Sequence, residues 1–202
     1  MRKLNLGSGP NSANGWINYD WGLMPLMGKL KITSFLVKLG ILDKSYDWKW
    51  PNLELVDIRR ELPDDDNSVD YIYCSHVLEH FELWEQEFIL REVYRILKVG
   101  GVIRIVVPDL EKLIRKYRLG KATAFNTAFF GWYKDQGNRI KYRQFIREHK
   151  WIHDKISLRE LLKKVGFKNI DDCNCQIGSV PNLNILDLKE YKNHSLYIEA
   201  IK

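Results

Sequence analysis

The stretch Lys3-Leu4-Asn5-Leu6-Gly7-Ser8-Gly9-Pro10 decides how the rest of the chain is read. Lys3 to Leu6 begins a short apolar strand that breaks at Gly7, and no Cβ at Gly7 or Gly9 keeps the turn backbone from a ligand. Taken alone, a short glycine turn is a weak signal. The third glycine of a dinucleotide fingerprint is missing, since Pro10 and Asn11 follow, and a pyrophosphate cradle is disfavoured. Working outward, Trp16 to Asp20 is a second short run ending on an acid, and Leu53 to Ile58 is a third, with Asp57 near its end. Ligands of open α/β sheets bind beyond the carboxyl ends of the strands, so the turn, Asp20 and Asp57 converge on one crevice. Asp20 can accept from both hydroxyls of a ribose and Asp57 from an adenine amino group. The bland use of the same acids is capping of loops or helices.

Further along, Val69 to Cys74 is a fourth strand, introduced by the acidic turn Pro63 to Ser68. Apolar residues at helical spacing (Phe88, Ile89, Val93, Ile96, Leu97) predict a helix over Trp84 to Leu97, stopped by Gly100-Gly101. Val102 to Val107 is a β-branched strand interrupted only by Arg104, and Leu110 to Leu119 a helix closed by Gly120. Ser157 is expected to cap a helix through Val165, with Glu160 completing a capping box. Asn169 to Cys175 and Leu196 to Ile201 supply the last strands. The expected fold is α/β: a Rossmann-like doubly wound sheet, mostly parallel with an antiparallel last strand, forming a single domain over 1–202. Two insertions interrupt it. Residues 21–50 form an amphipathic stretch, with lysines, Pro25 and Gly28 that make it a poor membrane span, expected to be a lid or a packed helix in preference to a membrane-surface anchor. Residues 120–150 are rich in aromatics (Phe125, Phe129, Phe130, Trp132, Tyr133, Tyr142, Phe145) and lie where ligand-facing loops emerge.

The bulk numbers fit this reading. A chain of 202 residues, 45% hydrophobic and 29% charged, can bury one sizeable core without disulfides. The net charge of +6 suits an anionic partner but selects none, because the basic residues are interspersed with acids. Cys74 is isolated, and Cys173 and Cys175 form neither a zinc-ribbon pair nor a redox C-x-x-C. With a start of Met1-Arg2-Lys3 leading straight into a strand, no transmembrane segment and a reducing, cytoplasmic location are expected.

The glycine stretch, Gly15-Trp16-Ile17-Asn18-Tyr19-Asp20, Asn67-Ser68-Val69-Asp70-Tyr71-Ile72-Tyr73, His76-Val77-Leu78-Glu79-His80, Leu97-Lys98-Val99-Gly100-Gly101 and Val106-Val107-Pro108-Asp109-Leu110 follow one another in order. Together they resemble the type-11 group of S-adenosylmethionine (SAM)-dependent class I methyltransferases, and within it predicted methyltransferases of surface-polysaccharide biosynthesis. The resemblance implies that Asn5, Gly7, Ser8 and Gly9 cradle the methionine part of SAM, that Asp20 binds the ribose, that Asp57 and Ile58 flank the adenine, and that Ser75 and His76 line the end of the fourth strand. One departure stands out: only ten residues separate Gly9 from Asp20, too few for the helix usual between those strands.

SAM brings its own electrophile, so the protein must hold the acceptor in line and, for a hydroxyl, manage a proton. The candidate bases are His149 and His80, with Asp109 orienting the base or binding substrate, or simply capping a helix. His76, Glu79 and His80 form H-x-x-E-H, similar to the E-x-x-E-H of ubiquinone-pathway O-methyltransferases and small-RNA 2′-O-methyltransferases; that likeness implies a divalent metal ion on His76, Glu79, His80 and His149, although His76 replaces a carboxylate. A metal-free histidine base is the favoured version. The leading expectation is O-methylation of a sugar or glycan hydroxyl. The alternatives are metal-dependent 2′-O-methylation of an RNA 3′-terminal ribose and a non-catalytic SAM-binding partner subunit.

Overall fold

The computed structural model describes residues 1–42, 44, 47–130 and 148–202. The strands are β1 (Lys3–Leu6), β2 (Ile17–Asp20), β3 (Glu54–Leu55), β4 (Val69–Ser75), β5 (Leu97–Pro108), β6 (Lys168–Asp172) and β7 (Ser195–Ile201). Among the described residues they make one seven-stranded sheet in the order β3-β2-β1-β4-β5-β7-β6. The pairs from β3 to β5 are parallel, and β7 runs antiparallel between β5 and β6. This is the expected class I methyltransferase arrangement, with the strand order reversing at β1, so the carboxyl ends of β1 and β4 border a crevice.

Period-two alternation sends alternate residues of each strand to opposite faces. One face carries Leu4, Leu6, Ile72, Cys74, Ile103, Ile105 and Val107, and it packs against Ile89, Leu90, Val93 and Ile96 of α3 (Leu83–Ile96) and Leu158, Leu161 and Leu162 of α6 (Lys155–Val165). The other face is more polar, with Asn5, Asn18, Tyr73, Arg104 and Glu199 buried on it. No helix lies between β1 and β2, as the short spacing required, and the chain there runs in turns. The segment between β6 and β7, with α7 (Leu183–Leu186), covers this face instead: Leu183, Leu186 and Val180 pack on Trp16, Tyr73 and Val106. It also holds the β1–β2 connection, because the Trp16 indole donates to Asn182 Oδ1 (3.0 Å) and Asn11 Nδ2 donates to the Leu186 carbonyl (2.9 Å).

Three local expectations change. The third strand keeps only Glu54 and Leu55, and Asp57 lies in the loop beyond it. The N-cap of α6 is Asp154, whose carboxylate accepts from the Ser157 N–H while the Ser157 hydroxyl accepts from the Asp154 N–H. The capping box therefore starts three residues earlier than Ser157 and does not use Glu160, because Asp is as good a cap as Ser and lies just before the apolar periodicity. The 21–50 insertion folds as two short helices, α1 (Leu23–Lys29) and α2 (Thr33–Lys38). After β5 come α4 (Leu110–Lys116) and α5 (Ala122–Phe129). The aromatic residues Trp132, Tyr133, Tyr142 and Phe145 lie outside the described residues. No helix among the described residues is long and apolar enough to cross a membrane.

Candidate active site

The turn after β1 is built as its sequence demands. Gly7 and Gly9 have φ of +62° and +52°, in the left-handed region that L side chains rarely adopt. A side chain at Gly7 would collide with Val77, whereas a Cβ at Gly9 would enter open space. Gly7 and Ser8 both donate backbone N–H groups to the Tyr19 carbonyl (2.8 and 3.2 Å), and Asn5 Nδ2 donates to the Asn11 carbonyl and Asn18 Oδ1. Asn5 therefore organises the turn from beneath. The Asp20 carboxylate receives the Gly9 and Trp21 N–H groups, each at 2.7 Å, which brings it beside the glycine turn at the end of β2. That backbone-lined space, open at Gly9 and edged by a carboxylate, fits the amino-acid and ribose portions of SAM.

Asp57 is committed differently. Its carboxylate accepts from Arg59 (2.9 and 2.8 Å) and faces Arg60, and the Arg59 hydrogen bonds hold it below the usual carboxylate range. Ile58 is buried in the main core. Ser75 closes β4, in register with Val106, and His76 follows it with φ +54°.

Beyond β4 a second cluster forms. Glu79, His80 and His149 each bring one ligand atom within 4.8 Å of the others. Glu79 is 1% exposed and its Oε2 has no hydrogen-bond partner among the described residues, while Oε1 meets His76 Nδ1 at 3.0 Å. Burial pushes the Glu79 carboxyl up, but the His76 hydrogen bond and the nearby imidazoles outweigh it, so the net shift is downward and the group is an anion. His80 Nδ1 faces the Glu148 carbonyl (3.3 Å) and His149 Nδ1 faces the Phe129 carbonyl (3.0 Å). A carbonyl only accepts, so in both rings Nδ1 carries the hydrogen and Nε2 carries the lone pair. Burial, against a smaller upward pull from Glu79, lowers the His149 pKa and keeps the ring neutral. Two imidazole nitrogens and an orphaned buried carboxylate oxygen are a donor set suited to a borderline divalent ion, and equally to proton transfer.

The remaining histidines divide by their partners. His76 uses Nδ1 on Glu79 and Nε2 on Ser195 Oγ (3.1 Å), and it lies against the Tyr191 ring, so it stands behind Glu79 and outside the three-residue cluster. His153 is buried between Gln86 Oε1 (2.8 Å) and Ser157 Oγ (3.0 Å), with both nitrogens occupied. Asp109 caps α4, accepting from the Glu111 and Lys112 N–H groups, with Lys112 Nζ 3.4 Å from Oδ2. A cavity of about 500 Å³ lies away from all of these, at the entry ends of β2 and β3, lined by Trp16, Asn18, Trp50 and Asn52 among others. The carboxylates and imidazole lone pairs converge instead at the strand tips.

Sequence reasoning passed over two features. Arg104, read only as an interruption of its strand, is fully buried on Asp187 (2.5 Å), Glu199 (3.2 Å) and the Asn174 and Ile177 carbonyls. A guanidinium in the middle of a β-branched strand was the available signal, since it demands buried partners. Tyr191, His194 and Ser195, which surround His76, carried no motif.

Comparison with known proteins agrees on the class. A family profile described as a methyltransferase domain matches residues 42–105. The ubiquinone/menaquinone biosynthesis C-methyltransferase UbiE of Escherichia fergusonii is 28% identical over 142 residues (64% of this chain, 51% of that protein), and the Klebsiella pneumoniae protein of the same name is 31% identical over 143 residues (again 64% and 51%). The chain spans about half the length of these curated relatives. Among solved structures, a SAM-dependent methyltransferase from Archaeoglobus fulgidus superposes with a TM-score of 0.55 at 16% identity, covering 100% of this chain and 86% of that one. Another SAM-dependent methyltransferase, from Thermotoga maritima, gives 0.51 at 18% identity, covering 100% and 82%. These two likenesses establish the fold. The profile, the curated relatives and these two solved structures are all described as methyltransferases.

Proposed function

We propose that this chain transfers the methyl group of SAM to a hydroxyl of a sugar or glycan. The observation that carries the reading is the convergence of the His80 and His149 Nε2 lone pairs with buried, anionic Glu79 just past the end of β4. When bound, SAM supplies a methyl on sulfonium. Gly7, Ser8 and Gly9, organised by Asn5, would hold its amino-acid portion and Asp20 its ribose. Asp57 and Ile58 would flank the adenine, with Ser75 and His76 at the crevice floor. With the methyl group so supplied, an acceptor hydroxyl would give its proton to Nε2 of His149 or His80, and Glu79 would favour the imidazolium that results. Asp109 positions α4 beside this site. The end of α5 and Phe130 would border the acceptor: the Phe129 and Phe130 carbonyls accept from His149, and Phe130 presents an exposed ring suited to stacking on a sugar. The curated relatives are C-methyltransferases, so a carbon acceptor supplies the contrasting arm of the test.

A second reading rests on Glu79 Oε2, buried without a hydrogen-bond partner among the described residues. Glu79, His80 and His149 would then hold a divalent ion, which would lower the pKa of a bound hydroxyl, as in 2′-O-methylation of an RNA 3′ end. One experiment separates the two: mass spectrometry for one added methyl on a panel of glycans, RNAs and phenolic rings, with and without EDTA. Methylated glycan with EDTA present supports the lead, and methylated RNA lost on chelation supports the second. Absence of SAM and S-adenosylhomocysteine binding in titration calorimetry would remove both.

A further inference from the structure

The 21–50 insertion has two apolar sides and uses only one of them for packing. Met24 and Met27 of α1 bury against Leu42, with Leu36, Val37 and Trp50 alongside, in a small core of their own. On the opposite side of α1 lie Leu23, Leu26 and Leu30, and on that of α2 lie Ile32, Phe35 and Leu39, all exposed; Leu30, Phe35 and Leu39 are 59%, 60% and 57% exposed. Each trio has spacings of three and four residues, which makes a stripe on its helix.

The two helices are copies of one nine-residue unit. Leu23, Leu26, Lys29 and Leu30 recur as Ile32, Phe35, Lys38 and Leu39. Both copies end alike: Lys31 (φ +57°) and Gly40 (φ +68°) occupy the left-handed turn, and Ile32 and Ile41 donate back to the carbonyls of Met27 and Leu36. A lysine is thus kept where the second copy uses the easier glycine. Between Trp21 and Leu42 the charged residues are Lys29, Lys31 and Lys38, with no acid among them.

We infer that this face docks on the surface of an anionic lipid bilayer. An apolar stripe edged by lysines inserts into the boundary between headgroups and acyl chains while the ammonium groups meet anionic headgroups. Charge complementarity selects this occupant over a second copy of the chain, since a two-fold contact would set the three lysines against their copies, with Asp47, bonded to Ser34 of α2, the acid that touches these helices among the described residues. The helices are too short to span the bilayer, so the contact is peripheral. The inference does not depend on which acceptor is methylated.

The test is co-sedimentation of the whole chain with vesicles of phosphatidylcholine containing phosphatidylglycerol, against vesicles of phosphatidylcholine alone. Binding is expected on the anionic vesicles and weak on the neutral ones. Phe35→Asp with Leu39→Asp should lower the partition coefficient at least tenfold. Lys29→Gln, Lys31→Gln and Lys38→Gln should each lower it roughly fivefold at low salt. All of these side chains are exposed, and unchanged circular dichroism and S-adenosylhomocysteine affinity would show that the variants fold. Equal binding to both vesicle types, or binding unmoved by the variants, would overturn the inference. So would light scattering that finds a dimer which Phe35→Asp with Leu39→Asp splits, because that gives the face to a second copy.

Discussion

Protonation of His153 offers a quantitative test of how the site is held together. The ring lies 1% exposed between Gln86 and Ser157, and burial lowers its pKa from 6.5 to about 4 against weaker upward pulls from Asp154 and Glu79. Below pH 6.5 the unfolded chain takes up a proton there that the native chain refuses until about pH 4. Stability from this group is therefore complete above pH 6.5 and falls by ~1.4 kcal/mol per pH unit as the pH drops through that window. The total loss is about 3 kcal/mol, a large share of a typical domain's stability. It bears on the site because the backbone of His153 pairs with Asp109, and the strand leading to it is tied down where the Lys150 and Trp151 N–H groups donate to the Glu79 carbonyl. His149 rides on that same strap. Urea unfolding at pH steps from neutral to mildly acidic, for the wild type and His153→Gln, measures the effect. Glutamine can keep one of the hydrogen bonds but cannot be protonated, so the variant should be about 1 kcal/mol less stable at neutral pH and close that gap on acidification. If the two stability curves stay parallel over the whole range, or if NMR shows the wild-type ring titrating near 6.5, the reasoning is refuted.

Three further outcomes follow from the same geometry. Gly7→Ala meets both a left-handed φ and the Val77 side chain, so it should cost roughly 1–3 kcal/mol and weaken S-adenosylhomocysteine binding in calorimetry; adding Val77→Ala should relieve only the collision. Arg104→Met leaves Asp187 and Glu199 buried without their cation, a loss of about 3–5 kcal/mol by chemical denaturation, and adding Asp187→Asn with Glu199→Gln should restore much of it. Glu79→Gln removes the charge that partly offsets the burial of His149, so the acid limb of the pH–rate profile should move to lower pH; an unmoved limb would separate Glu79 from the base.

Much of the sheet could be read from residue order, because buried strands are short, β-branched and punctuated by Gly, Pro and Asx, and each of those signals is local. The missing β1–β2 helix was legible for the same reason, from a residue count alone. What covers the exposed sheet face in its place was not, since Trp16 meets Asn182 and Asn11 meets Leu186 across most of the chain. The glycine turn and Asp20 are adjacent in space because neighbouring parallel strands bring them there, so strand order sufficed. Glu79, His80 and His149 form a cluster that spacing could only half describe. Residues 79 and 80 share one short 3₁₀ turn, but the arrival of His149 depends on a strap whose pairing has no sequence period. Residue types also hid the division of labour among histidines. His76 and His153 are chemically identical to His149, and only their partners show that both nitrogens of each are already engaged.

The segment that closes the polar face has a consequence for the order of folding. The glycine turn is made by residues 7–9, yet the groups that brace the connection after it, Asn182 and Leu186, are 166 and 175 positions downstream of their partners. They lie on the segment that leads into β7, which pairs between β5 and β6. Such distant pairings form late, since the loop they close must first be ordered. The glycine turn and Asp20 therefore form from local contacts before the brace closes over them, and the closing of the long loop, not the turn, sets when this face is complete.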